Sequence, residues 1–308
     1  MRGDRTKSYI LAGQAVEPPR LPPGLHLVAT PIGNLRDITL RALEVLAAAD
    51  VIACEDTRIT RRLTEHYGIT TPLTPYHDHN AAEARPRLLA RIAAGETVAL
   101  VSDAGTPLVS DPGFKLVRAA REAGLTVTAI PGPSAALAAL SVAGLPTDRF
   151  FFEGFLPPKE GQRKSRIQEL VRIPASLIVY ETGPRLANTL ADLSEVLGAR
   201  EAAVCRELTK LHEEVRRASL AELAKEYASG AETRGEIVIV VAPPPDDADQ
   251  TSEADVEELL RGALKRVSVK DAVSEVATAT GRPRREIYQR ALALEKLALE
   301  EEDDGEGQ

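Results

Sequence analysis

Only two cysteines occur, Cys54 and Cys205, both in apolar strand-like runs and neither with a second Cys or a His at ligand spacing. That scarcity argues against a disulfide framework, a zinc site or a thiol nucleophile, and predicts two buried thiols without a chemical role. No apolar run approaches the roughly 18 residues of a membrane span. Tyr9–Val16, broken by Gly13 and Gln14, is too short for a signal peptide. These absences predict a cytoplasmic protein with no membrane partner. No cluster of His, Cys, Asp and Glu has convincing ligand spacing, so no metal is expected. The phosphate-gripping fingerprints are missing too: Gly33 is followed by no spaced glycine pair, and no Gly-Lys-Ser/Thr exists. A nucleotide held by its phosphates is therefore not the expected ligand.

A formal charge of −8 argues at first against nucleic acid, but the last nine residues, Glu300–Gln308, carry six acidic groups and no basic one. Without those six groups the formal charge would be −2. What matters for RNA is where the cations lie, and they cluster: Lys159, Arg163, Lys164 and Arg166 in one segment, Arg282, Arg284, Arg285 and Arg290 in another. A solvated charged face is the competing reading of each cluster.

At 308 residues and 44% hydrophobic content, the chain is long enough for two domains with proper cores. Residues 1–24 hold Pro18, Pro19, Pro22 and Pro23 without periodicity, which predicts a disordered or loosely attached leader. Strand and helix patterns then alternate. Leu25–Thr30 reads as a buried strand, Pro31–Arg36 as a tight Gly-Asn turn and Asp37–Ala49 as an amphipathic helix. Val51–Cys54 is a strand, followed by a helix to His66, the polar loop Thr74–Ala81 and a helix over Ala82–Ala94. Val98–Val101, Phe114–Ala123, Leu125–Ile130 and the Ala-rich helix reaching Val142 continue the alternation. Such spacing predicts an α/β fold with a mostly parallel sheet covered on both faces, occupying residues 25–145. A second α/β domain is expected over 146–243, with strands near Phe150, Ser176–Tyr180, Ala202–Arg206 and Glu236–Val241, and helices over Leu186–Leu197 and Leu220–Tyr227. Pro243–Ala254 has linker composition. Val256–Arg266, Lys270–Ala279 and Arg285–Leu299 form a small helical domain, its last two helices joined at Gly281-Arg282-Pro283 like a helix-turn-helix. Residues 300–308 are an acidic tail.

The stretch Val98–Gly113, VALVSDAGTPLVSDPG, points most directly to chemistry. A strand that breaks into a loop of small residues before a helix is where an open α/β sheet binds a ligand, because backbone amides face the crevice beyond the strand's carboxyl end. Glycines 105 and 113 allow close approach, while Pro107 and Pro112 stiffen the path. Three other loops end strands at the same edge: Thr30-Pro31-Ile32-Gly33-Asn34, Glu55-Asp56-Thr57-Arg58 and Pro131–Ala135. Loops of Gly, Pro, Ser and Thr with few cations suit a cofactor held by backbone hydrogen bonds.

Together these loops resemble the tetrapyrrole-methylase superfamily of S-adenosylmethionine-dependent methyltransferases. The motifs ATPIGNLRDIT (Ala29–Thr39), ACEDTR (Ala53–Arg58), YHDHN (Tyr76–Asn80), SDAGTPLVSDPG (Ser102–Gly113), PGPSA (Pro131–Ala135), FEGFLP (Phe152–Pro157) and YETGPRL (Tyr180–Leu186) are similar to its rRNA-modifying branch. That branch methylates the ribose 2′-hydroxyl of a cytidine at the decoding centre of 16S-type rRNA. The resemblance spans about Leu25 to Pro243 and implies two α/β domains with S-adenosylmethionine in the cleft between them, a 16S rRNA or small-subunit substrate, and a homodimer. It places cofactor contacts at Pro31, Ile32, Gly33, Ser102, Asp103, Gly105, Thr106, Val109, Ser134 and Ala135, with Tyr180, Glu181 and Leu208 closing the far side. Small-molecule methylases of the superfamily carry Gly-Asp-Pro where this chain has Gly105-Thr106-Pro107.

Methyl transfer from a sulfonium needs acceptor oxygen, methyl and sulfur in line and a route for the hydroxyl proton. Candidates for the chemistry are Asp56, Asp103, Glu181 and Lys210, and the sequence singles out none as a base. RNA contacts are expected at Arg58, His77, Asn80, Lys159, Arg163, Lys164, Arg166, Arg284 and Arg285. Ordinary structural roles compete for several: a helix cap for Asp103, ion pairing for Asp56 with Arg58, and loop hydrogen bonds for His77 and His79. A tetrapyrrole-type small-molecule methylase and a non-enzymatic ribosome-binding module are the alternative functions. The two basic segments favour a macromolecular substrate over the first, and the intact cofactor loops argue against the second.

Overall fold

The computed structural model describes residues 7–229, 233–245, 253–280 and 283–305. The chain divides into two compact units, Met1–Ile167 with Ser176–Ala242, and Gln168–Ala175 with Pro243–Gln308.

In the first unit, residues expected to form a loose leader are instead folded. Strands β1 (Tyr9–Leu11) and β2 (Gln14–Val16) pair as an antiparallel hairpin. Tyr9 is buried in the core, the Ile10 amide donates to the Tyr67 carbonyl at 2.7 Å, and Lys7 bonds Asp50 at 3.0 Å. Six strand residues, five of them apolar, around one Ala-Gly turn suffice to dock the segment, which a proline-weighted composition concealed.

Five strands follow in the order β5-β4-β6-β3-β7, all parallel: β3 (Gly24–Val28), β4 (Val51–Cys54), β5 (Leu73–Pro75), β6 (Thr97–Val101) and β7 (Val127–Ile130). β4 and β6 are buried at every position, as expected where helices cover both faces of a parallel sheet. Helices α1 (Leu40–Ala48), α2 (Thr57–His66), α3 (Ala81–Ala93), α4 (Phe114–Glu122) and α5 (Ala135–Val142) provide the crossovers. The helix anticipated from Asp37 starts at Leu40, because the Thr39 side chain accepts from the Ala42 amide and caps it there, while residues 35–37 form a short 3-10 turn. Strand β5 overlaps the start of what reads as a polar loop over Thr74–Ala81.

The second sheet is mixed, ordered β11-β10-β12-β9-β8, with only β8 and β9 parallel. Its strands are β8 (Phe150–Phe155), β9 (Ser176–Thr182), β10 (Glu201–Arg206), β11 (Glu214–Ser219) and β12 (Glu236–Val241), accompanied by α6 (Glu160–Leu170), α7 (Gly183–Leu197) and α8 (Leu220–Ser229). The edge strand β11, EVRRAS, escapes sequence reading because its charged residues break the apolar alternation. The sheets change over between α5 and β8, around the boundary expected near Leu145, yet they share a core. Ala136, Ala139 and Leu140 of α5 pack with Ile178 of β9 and Val238 and Val240 of β12.

In the second unit, α9 (Glu253–Leu264), α10 (Val269–Thr280) and α11 (Arg284–Gly305) pack around Val256, Leu260, Ala272, Val276 and Ile287. Gly281 and Arg282 of the expected turn lie outside the described residues, as does most of the expected linker. Helix α11 runs through Gly305, so it takes in most of the segment read as a separate acidic tail. Among the described residues no helix is long and apolar enough to cross a membrane.

Candidate active site

Strand order β6-β3-β7 sets three of the four expected loops side by side. The first is tied to the third by a two-residue bridge: the Thr30 amide donates to the Gly105 carbonyl at 2.9 Å, and the Gly105 amide returns a bond at 3.0 Å. Thr30 Oγ1 also donates to the Ser102 carbonyl, and Thr106 Oγ1 donates to the Pro133 carbonyl of the loop after β7. The far side of the site is the loop after β10. Leu108, Ser110, Glu207 and Thr209 in these two facing loops have positive φ, between 49° and 74°. Among the described residues the only other such non-glycine is Ala12, so backbone strain concentrates here.

Between the loops lies a cavity of about 250 Å³. Ile32, Asp103, Gly105, Thr106 and Val109 form one side, Ser134 and Ala135 an end, and Tyr180, Glu181 and Leu208 the opposite wall. Ten of the expected cofactor positions thus face one space. Pro31, Gly33 and Ser102 do not line it. Ser102 is buried beneath the loop with Oγ near the Ala104 and Gly105 carbonyls, and Gly33 lies under the side chain of Lys210. Sequence reading missed Ser110, Asp111, Phe155, Cys205, Glu236 and Val238. The recurrence of Ser-Asp at 102–103 and 110–111 was a signal for Asp111; nothing marked the β10 and β12 residues. Both thiols are buried, and burial pushes Cys205 up to about 12, so the cavity meets a neutral thiol there.

The ionisable candidates separate by partner. Asp56 caps α2 and grips Arg58 at 2.6 Å; bonds from the Arg58 side chain and backbone hold its pKa down to about 2. Asp103 does not cap a helix; its Oδ1 accepts from the Asp56 amide at 3.0 Å, and its pKa is raised, chiefly by burial. Glu181 is inaccessible and held by Thr189 Oγ1 at 2.6 Å, the Thr182 amide at 2.8 Å and Arg185 Nε at 3.2 Å. Lys210 Nζ bridges Glu207 and Glu236, each at 2.9 Å. Burial works to lower its pKa, but the bonds to the two carboxylates win and raise it. Asp111 lines the cavity half-buried; burial pushes it up to about 6, aided by the negative charges of Glu55 and Asp103 and opposed by a bond from Ser102.

The basic segment before β9 is largely neutralised. Arg163, expected to meet RNA, is buried: Nε donates to Asp192 Oδ2 at 2.6 Å and Nη1 to the Pro158 carbonyl, so the expectation is corrected there. Lys164 pairs with Glu160, Glu195 and Asp192, and Arg166 binds Glu153 bidentately. Lys159 alone of the four is exposed with no ion pair among the described residues. Near β4, Arg58 is exposed though paired, while Asn80 braces its own loop by accepting from the His77 amide and donating to the Pro75 carbonyl. His77 is half-buried and His79 exposed. In the second unit Arg284 and Arg285 are exposed, and Lys270, Ser274, Arg284 and Tyr288 line a groove on α10 and α11.

The model of the tetrapyrrole (corrin/porphyrin) methylases matches residues 24–224, and that of the RsmI C-terminal HTH domain matches residues 250–295. Among solved structures, diphthine synthase aligns with TM-score 0.56 and 19% identity over 71% of this chain and 89% of its own. Uroporphyrin-III C-methyl transferase from Thermus thermophilus, complexed with S-adenyl homocysteine, aligns with TM-score 0.50 and 22% identity over 71% and 97%. Those likenesses establish the fold. Curated relatives go further: ribosomal RNA small subunit methyltransferase I of Mesorhizobium japonicum is 51% identical over 94% of this chain and 99% of its own. Its namesakes in Pseudomonas aeruginosa and Escherichia coli O157:H7 are 47% and 44% identical over 87% and 90% of this chain, and 96% and 95% of theirs. Sheet order, bridged loops and appended helices therefore have one common context, and the chain belongs to the ribosomal RNA small subunit methyltransferase I family of tetrapyrrole methylases.

Proposed function

We propose that this chain transfers the methyl group of S-adenosylmethionine to the ribose 2′-hydroxyl of a cytidine at the decoding centre of 16S rRNA, as a cytoplasmic homodimer. The observation that carries the reading is the cavity itself. Ten positions that the resemblance assigns to the cofactor enclose one space, in a family whose curated relatives are named for methylating small-subunit rRNA. The donor set fits that cofactor. Backbone groups of the Gly105, Thr106, Ser134 and Ala135 loops can bond a nucleoside and an amino acid moiety, Ile32, Leu208 and Val238 offer apolar surface, and the acidic wall residues Asp103 and Asp111 favour a cation. When bound, the sulfonium supplies an electrophilic methyl group. The chain's own part is to orient cofactor and ribose and to receive the hydroxyl proton. Lys159, Arg58, Arg284 and Arg285, exposed cations, are the residues proposed to meet RNA phosphate.

Labelled S-adenosylmethionine offered with small ribosomal subunits, naked 16S rRNA or uroporphyrinogen tests the reading. Label is expected on a 2′-O-methylcytidine in rRNA, with cofactor affinity unchanged by chelators. Label on the tetrapyrrole would establish the small-molecule alternative, and RNA binding without transfer would establish a binding module.

A further inference from the structure

We propose that Asp111 is the group that takes the proton of the acceptor hydroxyl, an inference that rests on the methyl transfer proposed for this cavity. β8 carries a bulge between Phe152 and Gly154, and a Cβ on Gly154 would come within 3.0 Å of Ser110 Oγ. Glycine there makes room for Ser110, which sits at φ 63°, a conformation that L residues adopt only under constraint from their surroundings. Together with the ring of Pro112, that turn sets Asp111 into the cavity wall rather than into the helix that follows.

Elimination then leaves it alone. Of the carboxylates that line the cavity, Glu181 is fully engaged by Thr182, Arg185 and Thr189; Glu236 pairs with Lys210; and Asp103 holds the amide that starts α2. Tyr180 and Cys205 have pKa values raised by burial, so neither is ionised near neutrality. Asp111 has one soft partner, the Ser102 hydroxyl, and the groups acting on it are Glu55 and Asp103, both anionic, with Tyr180 across the cavity. Those neighbours and its burial raise its affinity for a proton, holding the pKa at about 6 while leaving the carboxylate ionised at pH 7. The ribose oxygen yields its proton to a carboxylate oxygen of Asp111 while forming the bond to the methyl carbon, the departing sulfur keeps the electron pair of the broken bond, and Asp111 later returns the proton to water.

Asp111→Asn and Asp111→Glu in the full chain test this, with Asp103→Asn beside them. Single-turnover transfer to small subunits at saturating S-adenosylmethionine is expected to fall about 100- to 10,000-fold in the Asn variant, with partial recovery in the Glu variant. Wild-type rate is expected to drop below about pH 6, and the Asn variant to lack that acid limb. A second readout needs no turnover. An acid whose pKa is raised by folding loses native stability as pH rises from its unfolded value to its folded one. The melting temperature of Asp111→Asn should therefore match wild type near pH 4 and exceed it above about pH 6. An active wild type beside an Asn variant with unchanged rate and acid limb, loss of the limb in Asp103→Asn instead, or a melting difference independent of pH would overturn the proposal. A wild type inactive on every RNA would overturn the activity reading, and this proposal with it.

Discussion

Lys210 can be tested as a strap across the first cofactor loop by substituting the glycine it covers. A Cβ built on Gly33 would stand 2.7 Å from Lys210 Cε and 3.1 Å from Cδ, and nearer still to Cγ. Alanine there forces the lysine stem off its ledge and, at φ 157°, carries backbone strain of about 1–2 kcal/mol. Displacing the stem also breaks the pair with Glu207, whose two side chains are only 25% and 20% exposed. That loss contributes about 1 kcal/mol, while the pair with the 74% exposed Glu236 adds little. Gly33→Ala should therefore destabilise by about 2–3 kcal/mol and Lys210→Ala by about 1 kcal/mol.

The double variant decides between a strap and two unrelated residues. If the clash and the broken ion pair are one event, Lys210→Ala has already removed what Gly33→Ala would displace, and the pair is counted once. The combined loss should then fall short of the sum by about 1 kcal/mol, outside the roughly 0.3–0.5 kcal/mol scatter of independent sites. Urea midpoints measure it, read on the transition that S-adenosylmethionine shifts, since ligand stabilises only the part that binds it. Additive losses would refute the strap.

Removing Asp192 should leave Arg163 buried without its counter-charge, so Asp192→Ala is expected to destabilise by about 3–5 kcal/mol in urea denaturation, whereas a surface pair would lose under 1 kcal/mol. Changing Arg284 and Arg285 to Ala should weaken small-subunit binding at unchanged cofactor affinity, and lower the slope of log affinity against log salt by about 0.7–0.9 for each phosphate that is no longer neutralised. An unchanged slope would remove these two residues from the RNA interface.

What the sequence could and could not tell follows from the range of each interaction. β4 and β6 are buried on both faces, so their apolar runs are local signals, and the loops that follow them could be located directly. The edge strand β11 and the three-residue β5 carry no such run, and their strand character comes from neighbours in the sheet. The basic segment shows the same dependence with opposite sign. Lys159, Arg163, Lys164 and Arg166 read as one positive patch, because Asp192 and Glu195 lie 29 and 31 residues beyond their partners Arg163 and Lys164 in sequence and only the packing of α6 against α7 brings them together. Charge clustering along a chain therefore overstated charge available at the surface. The site inverts that lesson. Its near wall is written in consecutive residues of one loop, so resemblance located it, but Asp111 gains its environment from Glu55 on the loop after β4, and its place from a glycine bulge in the other sheet. A carboxylate's proton affinity is a property of the assembled wall, which is why Asp103 came forward as a candidate and the half-buried Asp111, eight residues further along the same motif, did not.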